Sequence, residues 1–72
     1  MKIIQHPRRV IRLAQLASTS ERAGLLPVGP ATIWRWVRTQ PEFPKPFRLG
    51  PGVTCWDLDA IEEFIRQQQA SV

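Results

Sequence analysis

Seventy-two residues suffice for one small domain, which buries too little to enclose a deep catalytic cleft together with a cofactor. Hydrophobic residues make up 43% of the chain, against wholesale disorder, and no apolar run approaches the roughly 18 residues of a membrane span. The formal net charge of +4 is unevenly spread: residues 1–48 carry nine Lys or Arg against Glu21 and Glu42, whereas residues 49–72 carry Arg66 against Asp57, Asp59, Glu62 and Glu63. One basic surface and one acidic element are the expectation. Such a surface suits a polyanionic partner or is a plain solvated face, and charge alone does not choose between them.

In chain order, residues 1–9 read as a basic tail holding His6, without periodicity. Val10, Ile11 and Arg12 lead into a short first helix near Leu13 to Ser18, where Leu13, Leu16 and Ala17 share a face. Ser18-Thr19-Ser20 interrupts it, and Ser20 to Ala23 is a candidate extra turn with Gly24 as its C-terminal stop. Leu25-Leu26-Pro27-Val28 reads as an extended connector. Gly29 as N-cap and Pro30 at the first helical position open a second helix, expected over Pro30 to Thr39 and closed by Pro41. Ile33, Trp36 and Val37 form its apolar face, with Trp36 as the expected core anchor. Thr32, Arg35, Arg38 and Thr39 lie away from that face.

Pro41, Pro44 and Pro46 keep the next segment extended. Phe47 to Leu49 and Val53 to Trp56 alternate apolar and polar residues about the turn Gly50-Pro51-Gly52, which predicts a hairpin with Phe47, Leu49, Val53 and Cys55 on its inner face. Asp57 is a suitable N-cap for a last helix, with Asp59 in its first turn and Leu58, Ile61, Phe64 and Ile65 as its stripe. Residues 67–72 are expected to fray. The fold class is therefore α+β, three helices with a two-stranded hairpin, in one domain over residues 10–66.

A helix followed by a turn, a basic helix and a hairpin is the order of a winged helix-turn-helix. The chain resembles the AlpA-type phage regulators and the phage excisionases, relatives of the MerR-type DNA-binding domain. Gly24 to Val28, Ala31 to Arg38, Phe43 to Gly50 and Trp56 to Ile61 carry the resemblance, which spans roughly residues 10–66. The connector from Ser18 to Gly29 is longer than the link common in that family, and Pro51 stands at the wing tip where some excisionases have a basic residue.

The resemblance implies sequence-specific binding of double-stranded DNA, without catalysis, by a prophage or mobile-element protein. It acts as an excisionase, bending attachment-site DNA for an integrase, or as a transcriptional regulator. The implied partners are DNA, an integrase and further copies assembling on tandem sites. Arg35 then enters the major groove, where a bidentate arginine–guanine contact is worth ~1–3 kcal/mol of discrimination. Ala31 and Thr32 sit near the helix N-terminus, facing phosphate or base, and Arg38 faces phosphate. Lys45 and Arg48 are backbone or minor-groove candidates from the strap and wing. Trp34 is open to three roles: covering the core edge, stacking on sugar–phosphate, or meeting a neighbouring subunit.

Plain readings stand beside these. Ile33, Trp36 and Val37 are core residues, Cys55 is a small strand hydrophobe, and Asp59, Glu62 and Glu63 are a solvated helix face or a protein contact. His6 with Cys55 falls short of the three or four ligands of a metal site. No catalytic constellation, cofactor, metal, small-molecule ligand or membrane contact is expected, and the single cysteine fits a cytoplasmic protein. The alternative to DNA binding is a protein-interaction adaptor that uses Trp34 and the acidic last helix.

Overall fold

The computed structural model describes residues 9–70. The tail expectation, with His6, falls outside them apart from Arg9. Six elements follow in order: β1 (Val10–Arg12), α1 (Leu13–Leu16), α2 (Pro30–Thr39), β2 (Phe47–Gly50), β3 (Val53–Asp57) and α3 (Leu58–Ala70). The fold is α+β, three helices with a three-stranded antiparallel sheet in the order β1-β3-β2. No described helix is long and apolar enough to cross a membrane.

The sheet has one strand more than the expected hairpin. Val10-Ile11-Arg12 pairs with β3 in the register Val10↔Asp57, Ile11↔Trp56 and Arg12↔Cys55. Ile11 is buried there, and the amide of Leu58 donates to the carbonyl of Arg9 at 2.9 Å, extending the pairing by one residue. On the other side of β3 the register is Phe47↔Cys55, Arg48↔Thr54 and Gly50↔Val53, so Leu49 is an extra residue in a bulge. This bulge breaks the alternation expected of Phe47 and Leu49. Phe47 is 36% and Leu49 62% exposed, while the adjacent residues Cys55 and Trp56 are both fully buried. The centre of β3 is thus covered on both faces, and the edge strand β2 is not.

The first helix is shorter than its periodicity suggests. It stops at Leu16, and no helical turn forms over Ser20 to Ala23. Ser18 gathers the segment instead. Its hydroxyl donates to the carbonyl of Leu26 at 2.8 Å and accepts from the amide of Gly24 at 2.8 Å, while its own amide donates to the carbonyl of Val28 at 2.8 Å. The amides of Leu25 and Leu26 donate to the carbonyls of Gln15 and Leu16 at 3.0 and 2.8 Å, closing the connector back onto α1. Gly24 is a close-approach glycine rather than a helix stop: a Cβ there would lie 2.1 Å from the carbonyl oxygen of Ala17.

α2 keeps its expected bounds, with Gly29 as N-cap and Pro30 in the first turn. Its anchor is Ile33, fully buried, and not Trp36, which is half-buried. Trp36 reaches the rim of the core, where its ring lies 5.7 Å from Phe43 and 6.1 Å from Phe64. Phe43 is 1% exposed and meets Phe64 edge-on at 5.1 Å, so the proline-rich strap is pinned between α2 and α3. The indole N–H of Trp56 donates to the carbonyl of Pro44 at 3.1 Å and fixes the strap to β3. The Oδ1 of Asp57 accepts from the amides of Asp59 and Ala60 at 3.0 and 3.4 Å, the expected cap of α3. That helix runs on to Ala70, past the expected fray at Gln67.

Candidate nucleic-acid interface

α2 buries Ile33 and turns Ala31, Arg35 and Arg38, at i, i+4 and i+7, to solvent on one stripe. Thr32 flanks the stripe and is half-buried. Because Gly29 has no side chain, nothing caps the first amides of the helix, and the positive end of its dipole is open. The hydroxyl of Thr39 donates to the carbonyl of Arg35 at 2.8 Å at the other end. Every long side chain on this stripe is cationic.

Trp34 lies on the opposite flank, half-buried against Trp56, with ring centroids 5.5 Å apart and planes tilted by 52°. Of its three open roles, covering the core edge is the one this contact provides. Trp34 borders two recesses. One is lined by Trp34, Pro46, Phe47, Arg48 and Thr54, between α2 and the β2–β3 hairpin. The other is lined by Arg12, Leu13, Ala14, Trp34, Gly52 and Thr54, where α1 meets the hairpin turn. Arg48 and Trp34 are thus brought together. Lys45 is exposed on the strap and lines neither recess.

Arg12 is the residue that sequence reading passed over. Its own neighbours gave no sign of it, since it joins this surface only because β1 pairs with β3 and sets it opposite Cys55. Its amide donates to the side chain of Gln15 at 3.1 Å.

The charges are partnered unevenly. Among the described residues, the ion pairs gather on α3: Arg9 with Asp59 and with Glu62, and Arg66 with Glu63. Hydrogen bonding to Asp59, then to Glu62, raises the pKa of the Arg9 guanidinium above its ordinary value. Hydrogen bonding from Arg66 lowers the Glu63 carboxyl below its own. No carboxylate among the described residues pairs with Arg12, Arg35, Arg38, Lys45 or Arg48. Arg66 within α3 and Arg9 from outside it therefore offset much of the charge of the acidic helix, whereas the α2 stripe and the hairpin keep an uncompensated positive field. Comparisons with protein-family models, curated proteins and solved structures give no match.

Proposed function

We propose that this chain is a sequence-specific duplex-DNA-binding protein of the winged helix-turn-helix kind, similar to the AlpA-type regulators and excisionases. α2 is its recognition helix and the β2–β3 hairpin its wing. The carrying observation is the stripe Ala31, Arg35 and Arg38, exposed and without a carboxylate partner among the described residues. A helix of 10 residues presenting cations to solvent suits the major groove. Arg35, at its middle, reads guanine, and Arg38 takes phosphate. Ala31, Thr32 and the open amides approach the backbone or a thymine methyl. Lys45 and Arg48 add phosphate or minor-groove contacts.

The biological role is that of a prophage or mobile-element factor in the cytoplasm. It acts with an integrase in excision, as copies bound cooperatively to tandem sites, or it regulates integrase genes. An adaptor built on Trp34 and the acidic helix has less to use, because the α3 carboxylates are already paired with Arg9 and Arg66.

A gel-shift titration of wild type and Arg35→Ala tests the reading. The DNA comes from around the element's attachment site and its integrase promoter, with a scrambled duplex as competitor. Arg35→Ala is expected to lose roughly 5- to 150-fold in affinity for cognate DNA, the loss for a bidentate base contact, and much less for scrambled DNA. Equal losses on both mean that Arg35 does not read bases. Cooperative shifts on attachment-site repeats identify an excisionase; a discrete shift at the promoter alone identifies a regulator. No shift beyond the scrambled level removes sequence-specific binding and favours the adaptor.

A further inference from the structure

We infer that Arg12, Trp34 and Arg48 form one trough that holds a single sugar–phosphate strand of duplex DNA, with Arg12 as a phosphate anchor. This rests on the duplex-DNA reading above. The two recesses beside α2 have Trp34 and Thr54 in common and lie side by side along that pair. Arg12 stands at one end and Arg48 at the other, both exposed and neither with a carboxylate partner among the described residues.

Trp34 packs on Trp56, is only half-buried, and borders both recesses. A half-open indole between two guanidinium groups matches the chemistry of a nucleic-acid strand, in which apolar deoxyribose alternates with charged phosphate. Thr54, opposite Arg48 in the sheet, adds a hydroxyl in the middle. The trough is attached to α2 through Trp34 and to the hairpin through Arg48. A strand held there fixes the angle at which Arg35 meets the bases. Its contacts go to phosphate and sugar, so they set register and carry no sequence information.

The test measures the affinity of the full chain for a random-sequence duplex of about two helical turns across a range of salt. Arg12→Ala is expected to make the slope of log affinity against log salt shallower by about 0.9, the share of one phosphate contact, and Arg12→Ala with Arg48→Ala by about 1.8. Arg12→Lys keeps the slope. Arg22→Ala is the control for net charge: Arg22 lines neither of these two recesses, and its loss should leave the slope unchanged. Thermal melts of each variant establish that it folds.

A steep wild-type slope that Arg12→Ala leaves intact overturns the trough. So does a slope that Arg22→Ala lowers as much as Arg12→Ala. A wild-type slope near zero is a different result, because it removes DNA binding itself. Cognate-site duplexes carrying single methylphosphonates, on which the protein holds one register, give a second readout. Wild type should be sensitive to one neutralised phosphate to which Arg12→Ala is indifferent; sensitivity that is identical in the two proteins contradicts the assignment.

Discussion

Gly24 sits where the connector is drawn tightest against α1. A Cβ at this position would lie 2.1 Å from the carbonyl oxygen of Ala17 and 2.8 Å from that of Gln15, both backbone atoms that cannot move alone. The Gly24 amide is also bonded to the Ser18 hydroxyl. Gly24→Ala is therefore expected to destabilise the domain by about 2–4 kcal/mol, in the range of severe single-site strain. A melt should show a fall of roughly 10 °C or more for a chain of this size. Gly50→Ala is its control: nothing lies within 4 Å of a Cβ there, and a near-unchanged melting temperature is expected. Equal shifts at the two positions would contradict the packing described for Gly24. Sequence reading saw a glycine after a polar run and made it a helix stop. A close approach between backbones is invisible to local propensity, because the atoms that forbid a side chain lie seven and nine residues away in the chain. The tryptophans teach the same lesson. Helical spacing put Trp36 on the apolar face correctly, yet Ile33 is the residue fully enclosed, and Trp56, with no periodic signature, is the largest fully buried side chain.

At the scale of elements, α2 was legible in full because its signals are local: Gly29, Pro30, the spacing of Ile33, Trp36 and Val37, and Pro41. The cap of α3 by Asp57 was legible for the same reason. β1 was not, since three residues with no turn beside them reveal a strand only through a partner some 45 positions away. Missing β1 also hid Arg12. The strap depends on Phe43, which wedges between Trp36 and Phe64. Phe43→Ala is expected to cost about 3–5 kcal/mol, most of what a domain of this size possesses. Loss of cooperative thermal unfolding would show it. Leu25→Ala, at a side chain 42% exposed, should stay within about 0.5 kcal/mol of wild type. A fully stable Phe43→Ala protein would mean that the strap does not hold α2 to α3.

For the whole molecule, the division between basic and acidic halves was plain in the sequence, but its consequence was not. Glu63 and Arg66 are neighbours on one helix, while Arg9 reaches Asp59 across 50 residues, a pairing only the folded chain creates. That pairing offsets much of the charge of α3 and leaves the α2 side as the uncompensated surface. The central claim, that this surface grips phosphate, is tested most directly by the salt dependence of duplex affinity. Phosphate contacts from three or all four of Arg12, Arg38, Lys45 and Arg48 predict a slope of roughly −2.7 to −3.6 in log affinity against log salt. A slope near zero, or no duplex binding even at low salt, would contradict it.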